Sequence, residues 1–548
     1  MRKMRGSVDK NWKEILELLL CIVLFYGLVR DAHANVNTEK LISNPKWLYA
    51  LPIGNCEVIL NWRYDGNAHL LGYNVYRSLA SKVEYKKINK SLINTTSYID
   101  KGLRENEIYY YIVRAVDSFG KESGDSNKAR IKIDSKRSNV VLTINHYGGD
   151  VHFGDLDNDG DIDFLFSKWD EYKKTYNDEG LLMWEVYPNS PGGPLHYNVD
   201  WDPTPTAIWD IDGDGKNEVI CQYYLDNVFY LAILDGATGE IKKKVEMPER
   251  FHKLAIANFR GRDIPQDILI NIGGDHGCQL RAYTNNLILL WKWNSKNPNL
   301  EVAHYPQPGD IDDDGKDEVV LGRVILESDG SVKYRINPGS RVTHADSIVI
   351  DDLIPDLSGK EIIIGWEGPL IGLYQGTTGK VIWEKSSYID NGYHVHRVKV
   401  GDILRNNPGK EILFTEKSNK PPYKIALVDA KSGNLIWKKG GITVQEATLI
   451  SWTGAETKEV LGDNFIVDGY GDKVYSREKE INKLDFFAYN FNLNLFVCDI
   501  IGDYREEYLI GDGNKVYIHT NIDYNPLKKP SPWEDINYQK EIANWNLY

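Results

Sequence analysis

Cysteine is scarce in this chain, with five among 548 residues. Cys56, Cys221, Cys278 and Cys498 follow no disulfide-framework or zinc-site spacing, and scattered thiols of this kind are most often small buried hydrophobes. A basic excess is also missing: 65 Lys and Arg face 79 Asp and Glu, a net charge of −14. Nothing in that balance supports nucleic-acid binding, which needs a basic face. Helical periodicity is absent from the body of the chain. Long apolar runs are absent too. Leu18 to Val29 is an apolar core of about a dozen residues, short for a membrane span. Arg2, Lys3 and Arg5 precede it and Ala32-His33-Ala34 follows it, the order of a bacterial-type export signal over residues 1–34, although Glu14 and Glu17 interrupt it. A secreted or cell-surface protein is expected, with no stable membrane insertion if the signal is cleaved; an uncleaved anchor is the alternative.

What the chain has in quantity is one acidic loop, written three times. It reads DLDNDGDID from Asp155, DIDGDGKNE from Asp210 and DIDDDGKDE from Asp310. Carboxylates stand at the first, third, fifth and ninth positions: Asp155, Asp157, Asp159 and Asp163; Asp210, Asp212, Asp214 and Glu218; Asp310, Asp312, Asp314 and Glu318. Oxygens two residues apart on a tight turn converge on one point, and the glycine at position six permits the turn. Such oxygen-rich sites suit Ca²⁺. The loop is shorter than an EF-hand loop, and strand-forming residues flank it.

Weaker copies begin at Asn258, Asp351, Asp402, Ser451 and Asp499. Together they make eight units spaced by roughly 50 residues. After each loop come an apolar strand, a turn such as DGATGEIKK or TTGKVIW, and a short strand that often carries an aromatic. Repeats of several short strands with Asp-Gly and Thr-Gly turns predict an all-β fold, an eight-bladed calcium-binding β-propeller over residues 140–548. A separate module over residues 35–136 alternates apolar and polar residues, in ILNW ending at Trp62, GYNVYRS from Gly72 and IYYYIVRAV from Ile108. With Trp62 in an early strand and Leu103 six residues before Tyr109, it resembles a fibronectin type III β-sandwich. Partner or carbohydrate binding is one reading of it; a spacer packed on the propeller is the preferred one.

The motifs run in one order along the chain. VHFGDLDNDGDIDFLFSKWD starts at Val151, HYPQPGDIDDDGKDEVVLG at His304, HADSIVIDDLIPDLSGKEI at His344, VDGYGDKVY at Val467 and CDIIGDYREE at Cys498. In that order they resemble the rhamnogalacturonan lyases of polysaccharide lyase family 11. The tail INYQKEIANW from Ile536 resembles the family's last segment up to Tyr538. The resemblance implies a secreted enzyme on an eight-bladed propeller holding several calcium ions. It implies cleavage of the rhamnogalacturonan I backbone of pectin by β-elimination at a galacturonate, so the expected partner is an acidic polysaccharide and a single chain should suffice. Two segments depart from the family pattern: Ala488 to Phe491 lacks a lysine, and WDPTPTAIW from Trp201 replaces a histidine-containing stretch.

Histidines keep register with the loops. His252, His304 and His396 each stand six residues before a loop's first position, and His344 stands seven before Asp351. Equal offset in a repeat means equal position in each unit, so several basic groups would converge on one anionic groove. His344, His396 and Arg397 are the candidate catalytic residues; His252, His304, Tyr305, Asp346 and Tyr538 are the candidate substrate contacts. A non-catalytic calcium-stabilised propeller that binds an acidic glycan or a protein is the competing reading. A quinone-dependent dehydrogenase, suggested by TTGKVIW and KSGNLIW, is the weakest, because the acidic loops have no place there.

Overall fold

The structure is a computed structural model. It describes residues 42–544 apart from 67–69, 80–83, 134–138, 147, 169–171, 188–203, 273–278, 297–302, 340–341, 369, 387–393, 418–422, 443–446, 463–464, 477–495, 513 and 523–530. The export signal expected over 1–34, Cys278, the start of the Trp201 segment and the departure at 488–491 lie outside the described residues. What is described is nearly all β. The exceptions are a 3₁₀ turn at Pro532–Glu534 and a helix at Ile536–Ala543. Among the described residues no helix is long and apolar enough to cross a membrane.

The first seven strands form two sheets. Lys46–Gly54, Glu57–Arg63 and Ser97–Asp100 make one; Lys86–Lys87, Leu70–Ser78, Ile108–Asp117 and Ala129–Lys132 make the other. The alternation in IYYYIVRAV buries Tyr109, Tyr111 and Val113 against Leu60, Trp62 and Val75. The hydroxyl of Tyr109 accepts the Arg104 N–H at 3.1 Å, and that of Tyr111 donates to Asp100 at 2.8 Å, so both buried tyrosines are satisfied.

Eight four-stranded antiparallel sheets follow, seven of them simple meanders in chain order. Their first strands are Asp150–Gly154, Thr206–Trp209, Phe251–Ala257, Gln307–Gly309, Ala345–Asp351, His394–Gly401, Thr448–Ile450 and Val497–Cys498. From the first sheet to the seventh, first strands contact the first strands of their neighbours. The Glu506 N–H to Ser451 carbonyl bond joins the seventh sheet to the eighth, and Phe153 meets Phe496 edge-on between the first and the eighth. The eighth sheet takes its outer strand, Val140–Ile144, from the segment that precedes the first. Both ends of the repeated region therefore meet in one sheet.

Two devices recur through the eight sheets. The second strand of every sheet opens on a carboxylate: Asp163, Glu218, Asp267, Glu318, Glu361, Glu411, Glu459 and Glu507. All eight are buried, and each accepts at least one backbone N–H from its own loop. An acceptor-only group at the base of a turn satisfies donors that the turn would otherwise bury unpaired. The second device joins neighbours. Trp184, Trp291, Trp383 and Trp437 on outer strands each donate their indole N–H to a carbonyl of the next sheet's hairpin, at 2.7 to 2.9 Å. Tyr334 does the same with its hydroxyl to Gly376. The rings lie on hairpin glycines: a Cβ at Gly239, Gly330, Gly379 or Gly433 would come within 2.8 Å of the facing ring. Glycine there serves both the positive φ and the close approach.

Candidate functional site

The acidic loops join first strands to second strands, so they sit at one end of the sheets. The histidines stand at or just before the opposite end of the first strands. A strand of five to seven residues separates the two sets by about 15–20 Å. One face therefore carries the loops and the other carries the histidines.

Backbone pairing builds the histidine face. A parallel bridge joins Ala303 to Ala345, and the His304 N–H donates to the Ala345 carbonyl at 3.0 Å. The Glu367 N–H donates to the His344 carbonyl at 2.9 Å. These ties bring two histidines from adjacent sheets together. Their Nε2 atoms are 3.0 Å apart, and Oδ1 of Asp346 lies 2.9 Å from His344 and 3.4 Å from His304. The three ligand atoms lie within 4.8 Å of one another. Two imidazole nitrogens and a carboxylate oxygen aimed at one point make a donor set for a divalent cation. The other nitrogen of His344, Nδ1, lies 3.0 Å from Oε2 of Glu367, which also accepts from the Thr343 hydroxyl. A carboxylate on Nδ1 fixes the proton there and turns the Nε2 lone pair inward, as a metal-binding histidine requires. The residues present fit a cation.

Bulges aim the side chains. The first-strand registers slip between Phe251 and Lys253, between Ala345 and Ser347, and between Val395 and Arg397. The extra residues are His252, Asp346 and His396. A bulge re-aims its residue out of the strand's alternation, so three of the sequence candidates share one backbone irregularity. The arc continues from sheet to sheet. The Lys253 ammonium lies 3.8 Å over the buried Tyr305 ring, and the Val398 N–H donates to Ser347 Oγ at 3.1 Å. His252, His304 with Tyr305, His344 with Asp346, and His396 with Arg397 thus follow one another on sheets three to six. His252, His396 and Arg397 stand beside the cation-like group, not in it. Sequence reasoning missed Glu367 and Lys253. Glu367 follows the strand Glu361–Trp366, and no repeat spacing points to it.

Tyr538 is a correction. Its hydroxyl accepts the Asp499 N–H at 3.0 Å, and its ring meets Trp533 edge-on at 5.5 Å. Asp499 opens the eighth loop. The helix that carries Tyr538 contacts the first three first strands and reaches Asp317, within the third acidic loop, through Lys540. Tyr538 therefore belongs to the loop face, across the sheets from the histidines, and anchors the tail there.

In the acidic loops, positions one, three and nine converge: Asp155, Asp157 and Asp163; Asp210, Asp212 and Glu218; Asp310, Asp312 and Glu318. The fifth position differs from expectation. Asp159, Asp214 and Asp314 each use one oxygen, Oδ1, to accept the N–H two residues on, at 2.8 to 3.0 Å, in an Asx turn. Burial, with like charges nearby, pushes Asp155 up to about 6 and Asp163 up to about 9. Glu318 is raised to about 7, burial being the main cause. Carboxylates crowded and desolvated in this way are stabilised by a nearby positive charge, whether a metal ion or an ammonium.

Known proteins place this geometry. The model of the rhamnogalacturonan lyase family 11 C-terminal domain matches residues 282–547, which include the His304–His344–Asp346 group, the His396–Arg397 strand and the tail helix. Residues 282–547, just under half of the chain, belong to rhamnogalacturonan lyase family 11, a family of polysaccharide lyases. The chain is 24% identical to rhamnogalacturonan endolyase YesW of Bacillus subtilis (strain 168) over 538 residues, 82% of this chain and 80% of that protein. It is 23% identical to rhamnogalacturonan exolyase YesX of the same organism over 488 residues, 72% of this chain and 76% of that one. The solved structure of YesW superposes with a TM-score of 0.66 at 22% identity, covering 92% of this chain and 95% of that one. That of YesX gives 0.67 at 20% identity, covering 92% and 94%. The chain therefore shares its overall fold with both.

Proposed function

We propose that this chain cleaves the rhamnogalacturonan backbone of pectin by β-elimination at a galacturonate, on an eight-bladed β-propeller that follows a fibronectin type III-like module. The observation that carries the reading is the convergence of His304, His344 and Asp346 with Glu367 behind them. Elimination removes the proton on carbon 5 of the uronate, forms the carbon 4–carbon 5 double bond, and expels the oxygen on carbon 4. The difficulty is the adjacent carboxylate, whose charge makes that proton barely acidic. A divalent cation in the histidine–aspartate group would neutralise the carboxylate. Arg397, a fixed positive charge on the neighbouring sheet, holds the same anion from the side. His396, re-aimed by its bulge, is the candidate base. His252 and His304 extend a basic arc along which an acidic chain can lie.

Calcium is the ion proposed for the first acidic loop, whose oxygen donors suit it; the imidazole nitrogens of the other group also accept softer divalent ions. Export is part of the proposal, since a polymeric substrate lies outside the cell. A second reading, binding without cleavage, is favoured by the missing lysine at Ala488–Phe491. The deciding assay is ultraviolet absorbance of the unsaturated uronate formed from rhamnogalacturonan I, with polygalacturonate as control. A rise with rhamnogalacturonan I alone supports the proposal. A flat trace with every uronate polymer, in a folded preparation that retains such a polymer on a column, would establish the second reading.

A further inference from the structure

The three acidic loops are alike in sequence but not in surroundings. On the outer strand of the second sheet, Lys242 extends its ammonium to Glu218 Oε1 at 2.6 Å and Asp212 Oδ2 at 3.0 Å. On the outer strand of the fourth sheet, Lys333 does the same to Asp312 at 2.7 Å and Glu318 at 3.5 Å, with Glu327 at 2.9 Å. Each lysine touches the carboxylates at the third and ninth loop positions, two of the three groups that converge there. Both lysines occupy one structural position, the third residue after a hairpin glycine with positive φ, Gly239 or Gly330. In the first sheet that glycine is Gly180 and the third residue after it is Met183. Among the described residues no ion pair reaches Asp155, Asp157 or Asp163; Lys128 acts on Asp157 only as a nearby charge.

We propose that Lys242 and Lys333 are built-in cations, their ammonium groups neutralising the third- and ninth-position carboxylates in place of a divalent ion in the second and third loops. An ammonium offers three donors to surrounding oxygens. A Ca²⁺ ion would need the same oxygens at about 2.3–2.6 Å, and the two positive charges cannot share them. A degenerate loop supports the substitution independently. In the third sheet Arg260, at the third loop position, donates Nε to the buried Asp267 at 2.6 Å, so a side chain supplies the positive charge there too. The three acidic loops then divide. The first needs an external ion; the others carry their own.

The test is a calcium count on the full chain, loaded with calcium chloride, desalted and read by atomic emission. Lys242→Met and Lys333→Met should each hold one calcium more than the wild type, and Asp210→Asn and Asp310→Asn in the wild-type background should leave the count unchanged. The proposal is overturned if Asp210→Asn and Asp310→Asn each lose one calcium, or if folded Lys→Met variants gain none. The aspartate variants decide alone should a lysine variant fail to fold. The lysine claim does not depend on lyase activity. Asp157→Asn tests separately whether the first loop holds calcium: it should lose one.

Discussion

Two buried histidines, one packed against the first sheet and one within it, bear on how the molecule meets acid. His146 stacks on Phe166 with centroids 4.0 Å apart and bonds Tyr176 and the Gly148 carbonyl. Burial pulls it from 6.5 down to about 4, and pulls the fully enclosed His152 down to about 3. Both are neutral in the folded protein, whereas in the unfolded chain they take up protons below about 6.5. Their contribution to stability is therefore complete above about pH 6.5 and is lost as pH falls from there towards 4 and 3. Asp155 and Asp163, raised to about 6 and about 9, act in the opposite direction, so the test is a difference: His146→Phe should lose less melting temperature on acidification than the wild type, and an identical slope in a folded variant would remove His146 from the account. The buried carboxylates act at the same scale. Glu411 accepts the N–H groups of Ile403 and Leu404 at 2.9 and 3.0 Å. Glu411→Ala leaves buried donors unpaired and should cost about 2 kcal/mol in denaturant unfolding.

At the scale of elements, the hairpin aromatics hold sheet to sheet. Trp383 is buried, bonds the Ala430 carbonyl at 2.9 Å and lies on Gly433. Trp383→Ala should destabilise by about 3–5 kcal/mol, and a bulkier residue at Gly433 should act in the same direction; chemical denaturation checks both. The repeat was legible because the turns are chemical: Asp-Gly and Thr-Gly mark hairpins, and alternation marks strands. The aromatic that often ends a unit was visible in sequence too. Its purpose was not, because its partner is a carbonyl in the next unit, 32 to 52 residues on, and backbone acceptors leave no trace in residue identity. The same holds for the bulges at His252, Asp346 and His396. Register slips depend on the partner strand, so the sequence shows these residues in phase without showing why they are aimed together.

The whole molecule has two faces. The loop face is crowded. Asn127 of the N-terminal module donates to Asp161 of the first acidic loop at 2.9 Å, Trp47 lies against Gly502 of the eighth loop, and Arg63 pairs with Glu534 at 2.6 Å. The tail helix sits there as well. The histidines stand at the other end of the first strands. The acidic loops, the loudest signal in the sequence, are thus read best as fasteners, and Tyr538 was misplaced because a family-like tail says nothing about which face it covers. Glu367 was illegible for a different reason: its role comes from pairing with His344 across one sheet. The central claim is that chemistry belongs to the histidine face and stability to the loop face. Turnover of rhamnogalacturonan I, measured beside melting temperature for His344→Ala and Asp157→Ala, tests it most directly. The account predicts at least about a hundredfold loss of turnover with little change in melting for His344→Ala, and a lowered melting temperature with turnover retained in the cold for Asp157→Ala. The reverse pattern, activity lost with Asp157 and kept without His344, would contradict it.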